Sequence, residues 1–255
     1  MENNLLKKLN EYTRREFKED EVYIFSVILC DNEIDRDNEC FSVTALNEMK
    51  SLFLGKTGIF DHNARSQNQT ARIFETEVVT DEEKLTKSGE AYSCLKATAY
   101  MVRTKSNEDL IREIDGGIKK EVSVSCSAKK RVCSICNTNT EENACIHKGG
   151  KKYGGKVCHF ILSDITDAYE WSFVAVPAQI NAGVTKRFEE RSESLRKKAK
   201  RLCFLCSCEE DIEKMSDKEL EKLCARLEKN VPKSFGAEMK SDSEDISLYK
   251  MKREK

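Results

Sequence analysis

The densest set of reactive side chains is a run of cysteines and histidines between residues 131 and 159. It opens with a Cys-x-x-Cys pair, Cys133 and Cys136, the spacing at which two thiolates of one tight turn bind a single zinc ion. The further candidate ligands in this stretch are Cys145, His147, Cys158 and His159. Because structural zinc takes four ligands, the pattern predicts a zinc site in which Cys133 and Cys136 fill two places. The other two places are contested by Cys145, His147 and Cys158.

Two alternatives to zinc are weaker for this stretch. A redox Cys-x-x-Cys needs a strand–helix–strand context, which the surrounding residues lack. A set of free thiols would oxidise if it were exposed. A second cluster, Cys203, Cys206 and Cys208, has only Cys224 as a further thiol nearby. We interpret this second cluster as an apolar patch on a helix.

Only one of the 3 histidines, His62, lies outside the cysteine-rich stretch. It stands in the segment IFDHNARS, between a glycine-flanked turn and a predicted strand. Loops beside a rigid sheet often carry catalytic groups, so His62 is the candidate for acid–base chemistry. The alternative is a solvent-exposed loop histidine with no such role.

Two serines and one carboxylate complete the candidate set. Ser123 and Ser125 alternate in EVSVSCS, so a strand would place both on one face. A nucleophilic serine needs a histidine base and a group that orients the base. The downstream acids are Asp164, Asp167 and Glu170. Glu170 stands out because it opens the apolar run WSFVAVPA, and a carboxylate at the end of a buried strand needs a partner. That partner would be His62 in a catalytic set. The alternative is an ordinary salt bridge to a lysine or arginine.

Composition narrows the function classes. The chain has 255 residues, with 35% charged, 39% hydrophobic and a formal net charge of -1. That balance excludes a protein that binds nucleic acid through bulk positive charge. There is no run of about 18 apolar residues, so no membrane span is expected. The first twenty residues lack the apolar run of a secretory signal, and the 12 cysteines are therefore expected to be reduced.

The elements that must position these residues are mostly strands. Apolar and alternating runs predict strands near 22–30, 70–80, 91–103, 121–127, 160–165 and 169–179. Helices are predicted near 1–20, 44–53, 106–114 and 217–229, the last with a capping box of Ser216 and Glu219. The predicted fold class is α+β and mostly β. The predicted organisation is a charged helix over 1–20, a domain over 21–187 that contains the 131–159 insert, and a charged helical or disordered tail over 188–255.

Several segments occur in an order that resembles the prohead maturation proteases of tailed bacteriophages. They are NEIDRDNE, FDHNARSQNQTARI, IKKEVSVSCS, the Cys-x-x-Cys insert and DAYEWSFVAVPAQINAGVTK. The set is especially similar to proteases of phages or prophages of Gram-positive bacteria, which carry a zinc-ribbon-like insert. The resemblance covers about residues 21–187, and the last segment is its strongest part.

The resemblance implies a β barrel like that of the herpesvirus assemblins, flanked by helices. It implies a serine endopeptidase that cleaves the scaffold, or the scaffolding segment of the major capsid protein, and itself. The location would be the host cytoplasm, inside the assembling prohead, and a homodimer is possible. The implied catalytic residues are His62, Ser123 and Glu170. The zinc of the insert would be structural.

This sequence departs from the family pattern at two positions. Ala71 precedes Arg72 where the family has Gly-Arg, and Ser125 stands where the nucleophile motif has glycine. Ser125 is thus an alternative nucleophile. The departures also leave open a catalytically degenerate assembly or scaffolding factor. A third possibility is a non-enzymatic zinc-ribbon interaction module, suggested by basic residues in and beside the insert: Lys129, Lys130, Arg131, Lys148, Lys151, Lys152 and Lys156.

Overall fold

The computed structural model describes residues 2–187, 195–196, 198–203, 206 and 210–228. The chain divides into two compact units, Glu2–Phe188 and a second unit within 189–255. Much of the predicted tail, including Cys208, lies outside the described residues. Among the helices in the described ranges, none combines the length and apolar character needed to span a membrane.

The fold is α+β and consists mostly of strands, which confirms the predicted class. The strands are β1 Val22–Asp31, β2 Glu39–Phe41, β3 Thr57–Phe60, β4 Ala71–Leu85, β5 Ala91–Val102, β6 Val122–Cys133, β7 Lys152–Tyr153, β8 Lys156–Val157, β9 Phe160–Phe173 and β10 Gly183–Arg187. The α-helices whose two ends lie among the described residues are α1 Glu2–Asn10, α2 Val43–Leu52, α3 Glu108–Asp115 and α4 Asp217–Glu228, and residues 198–203 are also helical. Short 3₁₀ turns lie at Glu19–Glu21, Ser66–Asn68 and Ile212–Lys214.

The main sheet has the order β10-β1-β5-β4-β3-β9-β2, and β6 also pairs with β9. Strands β3 and β2 run parallel to the two ends of β9, while β6 pairs antiparallel along its whole length. The continuous ladders among the described strands leave the sheet open between β10 and β6. An isolated antiparallel bridge between Glu121 and Gly183 joins the residue before β6 to the first residue of β10.

Strand β9 differs from the prediction. The sequence suggested two strands, near 160–165 and 169–179, but the structure has one, Phe160–Phe173. The polar middle stays extended because β6 pairs beside it, with register shifts after Ser125 and Ser127. The Val-Pro-Ala segment that follows is not a strand, as expected where proline withholds a backbone donor.

The first helix is also shorter than predicted. Helix α1 ends at Asn10, although the charged pattern suggested a helix over 1–20. The Asn10 side chain donates to the Phe17 carbonyl at 3.2 Å and accepts from the Phe17 amide at 2.9 Å. These two bonds fold the chain back and end the helix there.

The main core of the first unit is formed by the sheet together with α2 and α3. Strand β1 is buried along nearly all of its length, as its β-branched and aromatic sequence predicts. Trp171 is fully buried on β9 beside Phe25 and Phe173. Gly58 on β3 faces this ring, where an added Cβ would lie 2.5 Å from Trp171. Glycine is therefore required there for β3 to approach β9 closely.

The second unit has an apolar cluster of its own. Its buried members are Ala199, Leu202, Cys203, Ile212, Leu220, Leu223, Cys224 and Leu227. Cys206 packs against the same cluster, which fits the interpretation of an apolar helix patch. The predicted capping box is present: Glu219 accepts from the Ser216 amide at 2.7 Å, and the Ser216 hydroxyl accepts from the Glu219 amide at 3.2 Å.

Candidate active site and candidate metal centre

The end of β3 brings His62 to the end of β9. The two strands are parallel, and the Asp61 amide just beyond β3 donates to the Phe173 carbonyl at 3.1 Å. His62 Nδ1 then lies 2.7 Å from Glu170 Oε1. The Glu170 side chain is only 9% exposed, whereas the His62 side chain is 41% exposed. His62 is thus in contact with a buried carboxylate through Nδ1 while part of its ring is accessible to solvent.

The turn that carries His62 has an unusual backbone. Asp61 and His62 have φ values of +50° and +52°, in the left-handed region that side chains other than glycine rarely adopt. Such residues persist where the surrounding structure holds them, and they cluster at functional sites. One such contact is the His62 amide, which donates to Ser172 Oγ at 3.0 Å.

Ser172 is the residue of this site that the sequence did not reveal. Its side chain is fully buried, and its hydroxyl donates to Glu170 Oε2 at 2.8 Å. Both Glu170 oxygens are therefore engaged, one by His62 and one by Ser172. The alternation of Glu170 and Ser172 on one strand places them on the same face, which was the only sequence signal available.

The two candidate nucleophiles lie on the neighbouring strand β6. Ser123 is directly opposite Ser172, and Ser125 is opposite Glu170. Residues opposed across an antiparallel pair share a face, so both hydroxyls belong to the face of Glu170. Both serines are partly exposed. Within the described part of the chain, no hydrogen bond joins Ser123 Oγ to the His62 ring.

The other candidate acids have cationic partners. Asp164 pairs with Lys130 at 2.8 Å, and Asp167 pairs with Lys56 at 3.7 Å. Glu170 instead pairs with His62, so the expected alternative of a lysine or arginine partner does not hold for it. A histidine whose Nδ1 faces a carboxylate keeps its proton there and leaves Nε2 to accept another.

A cavity of about 260 Å³ borders the strand of the candidate nucleophiles. Its lining includes residues 123–126 together with Asp35, Asp37 and Glu39. Burial raises the pKa of Asp35. Asp35, Asp37 and Glu39 belong to the segment NEIDRDNE, which the sequence distinguishes only by its place in the order of segments along the chain. The structure brings this segment to the same cavity as Ser123.

The cysteine-rich insert gathers four donor atoms. The side-chain donors of Cys133, Cys136, Cys145 and His147 all lie within 4.8 Å of one another. Cys136 Sγ is 3.5 Å from Cys145 Sγ, which is 3.5 Å from His147 Nδ1. This group could hold a metal ion. Amide groups support it, because Ile135 N donates to Cys133 Sγ and His147 N donates to Cys145 Sγ, both at 3.4 Å.

Cys158 is a fifth donor beside this group. Its Sγ lies 3.8 Å from Cys133 Sγ, and both thiols are buried. A hydrogen bond with the Thr138 hydroxyl lowers the pKa of Cys136 to about 6, whereas burial raises the pKa of Cys158 to about 11. His159 instead places Nδ1 3.4 Å from the Val157 carbonyl. Three thiols and one imidazole suit a soft or borderline cation such as zinc.

Comparison of the chain with protein-family models, with curated proteins and with solved structures gives no match.

Proposed function

We propose that this chain is a serine endopeptidase of the prohead maturation class. It would cleave the scaffold, or the scaffolding segment of the major capsid protein, and itself, inside the assembling prohead in the host cytoplasm. The observation that carries the proposal is the contact of His62 Nδ1 with the buried Glu170, at 2.7 Å, at the point where Ser123 lies across the sheet from Ser172. A buried carboxylate that orients an exposed imidazole beside a serine is the arrangement that acyl transfer requires.

In the proposed mechanism, Ser123 Oγ attacks the scissile carbonyl carbon. His62 Nε2 takes the hydroxyl proton and then delivers it to the leaving amine. Glu170 holds the imidazole in the Nδ1–H tautomer and stabilises the imidazolium that forms. Water then attacks the acyl-enzyme ester by the same path, which regenerates the Ser123 hydroxyl. Backbone N–H groups would stabilise the oxyanion.

The proposal includes closure of the sheet into a barrel like that of the assemblins. Its support is the bridge between Glu121 and Gly183. This bridge continues the strand order from β6 to β10, and β10 already pairs with β1. Ladders through β1, β5, β4, β3 and β9 then return to β6. A closed sheet has no free edges, and the catalytic side chains would lie where the barrel is joined.

We further propose that the insert holds a structural zinc ion. Cys133, Cys136 and Cys145 would supply three thiolates, and His147 or Cys158 the fourth donor. Four protein ligands leave no open position for water, which is the mark of a structural rather than a catalytic site. Zinc would stabilise a segment that contains only the two-residue strands β7 and β8.

A second candidate is an assembly factor without turnover, acting on the same capsid and scaffold proteins. It is favoured by the missing hydrogen bond between Ser123 and His62 and by Ser125 in place of glycine. In the protease, that bond would form when substrate excludes water, because catalytic hydrogen bonds often tighten only in the substrate complex. A homodimer is compatible with either candidate.

Cleavage by the full chain separates the two candidates. The purified protein is incubated with the major capsid protein and scaffold of the same phage or prophage, and intact masses are measured. Ser123→Ala should abolish trimming of both the partner and the chain itself. Ser127→Ala is the matched control, because Ser127 lies on the same strand and bonds Tyr169 at 2.6 Å. If the chain, the capsid protein and the scaffold all stay uncleaved in every sample, under conditions where shells assemble, the result would favour the assembly factor.

A further inference from the structure

We propose that Ser172 is a positioning residue that fixes the orientation of His62. Its role in catalysis rests on the proposed function, but its effect on the imidazole can be measured without any substrate. The side chain is fully buried, so its hydroxyl does not contact substrate. It acts instead through the two groups that it bonds.

The Ser172 hydroxyl connects two parts of the site. Its oxygen accepts a hydrogen bond from the His62 amide at 3.0 Å, and it donates a hydrogen bond to Glu170 Oε2 at 2.8 Å. A hydroxyl can accept and donate at once. One small group thus holds the backbone of the histidine and the carboxylate that the histidine ring contacts.

The turn at His62 needs such an anchor. Two consecutive residues, Asp61 and His62, have φ values in the left-handed region, which is costly for residues other than glycine. Two bonds tie this turn to the end of β9: Asp61 N to the Phe173 carbonyl and His62 N to Ser172 Oγ. The second bond is a side-chain bond, so a single substitution removes it and leaves the β9 backbone in place.

The same hydroxyl selects the orientation of Glu170. With Oε2 bonded to Ser172, Oε1 is the oxygen that faces His62 Nδ1 at 2.7 Å. Without the serine proton, the carboxylate can rotate and Oε2 becomes an unpaired buried oxygen. Ser172→Ala would therefore loosen the imidazole from both sides, through its backbone and through its carboxylate.

The test compares the wild type with Ser172→Ala and Ser172→Cys in the full chain. Long-range ¹H–¹⁵N spectra, recorded in a pH series up to the plateau where the ring signals stop changing, report which ring nitrogen of His62 carries the proton. A His62→Gln spectrum identifies the signal among the 3 histidines. We expect the Nδ1–H tautomer in the wild type and a mixture with Nε2–H in Ser172→Ala. Turnover should fall by about 10²-fold, the cost of a misplaced catalytic group, with little change in KM.

Ser93→Ala is the matched control, because Ser93 is also buried and bonds another hydroxyl, that of Thr80, at 2.9 Å. It should keep the Nδ1–H tautomer. Ser172→Cys keeps a similar shape with a slightly larger atom and weakens both bonds, so it decides the question if Ser172→Ala does not fold. The proposal is overturned if a folded Ser172 variant keeps the wild-type tautomer. If even the wild type cleaves nothing, the proposed function fails, and the tautomer alone decides the role of Ser172.

Discussion

At both ends of the β6–β9 pair, side chains that are distant in sequence come close together, but different structural features bring them there. At one end, strand register places Ser123 opposite Ser172 and Ser125 opposite Glu170, and His62 lies in the turn that follows the parallel strand β3. At the other end, the last residue of β6, Cys133, pairs with Phe160. The remaining donors beyond it lie on irregular segments and short turns.

This difference indicates what each site depends on. The Glu170 end is assembled by backbone ladders and a buried core, so its geometry is a property of the fold. The cysteine end has few ladder bonds, and its thiols are brought together at distances that a shared cation would stabilise. On the proposal of a structural zinc ion, removal of the metal should therefore affect the cysteine end and spare the Glu170 end.

Metal removal should have the largest effect. Apparent binding energies of structural zinc reach about 10–16 kcal/mol in zinc-finger peptides, so chelation should unfold residues 134–159 locally. Hydrogen exchange followed by mass spectrometry should show faster exchange there and unchanged protection at 170–173. Cys133→Ala should have the same effect and should lose the bound metal. The control is Cys94→Ala, a buried thiol outside the candidate metal group. If chelation lowered protection from hydrogen exchange equally at 134–159 and at 170–173, the two ends would not differ in their dependence on metal.

Glu170→Gln tests the sheet end without disturbing its packing. The amide keeps the shape but cannot stabilise the imidazolium, and turnover should fall by about 10⁴-fold, as for the equivalent change in a serine protease triad. Asp164→Asn, on the same strand, is the control because it removes only the exposed pair with Lys130. Thermal melting should be nearly unchanged in both. Equal activity of the two variants would exclude Glu170 from the mechanism.

Gly58→Ala tests whether β3 must approach β9 closely. The new Cβ would lie 2.5 Å from the Trp171 ring, and overpacking of this kind costs about 1–3 kcal/mol. Urea denaturation should show that loss of stability. Gly116→Ala, at an ordinary φ of -74°, should cost less. If the two variants were equally stable, Trp171 would not set the distance between the strands.

Ser125→Ala should have the smallest effect and would settle the nucleophile. Ser125 is a partly exposed residue without a side-chain hydrogen bond in the described part of the chain, so turnover should stay within about twofold, or about 0.5 kcal/mol. Steady-state cleavage assays, run beside Ser123→Ala, measure this. Loss of cleavage in Ser125→Ala together with full activity in Ser123→Ala would make Ser125, and not Ser123, the nucleophile.

The sequence predicted those features that short-range patterns encode. The Cys-x-x-Cys spacing, the apolar run of β1 and the capping box at Ser216 are local signals, and the structure contains all three. The single long strand β9 was missed because its polar middle is held extended by β6, a partner far away in the sequence. Ser172 was missed for the same reason. Its importance comes from a contact with His62 across 110 positions, and no local pattern reports such a contact.

The pairing of Cys133 with Phe160 has a topological consequence. The insert leaves the sheet and returns to it between adjacent positions, so the whole cysteine-rich segment occupies the place of a hairpin turn. A chain with a tight two-residue turn at this point would keep the same connectivity and handedness. The order and direction of the strands that carry Ser123 and Glu170 therefore do not depend on the length of the insert.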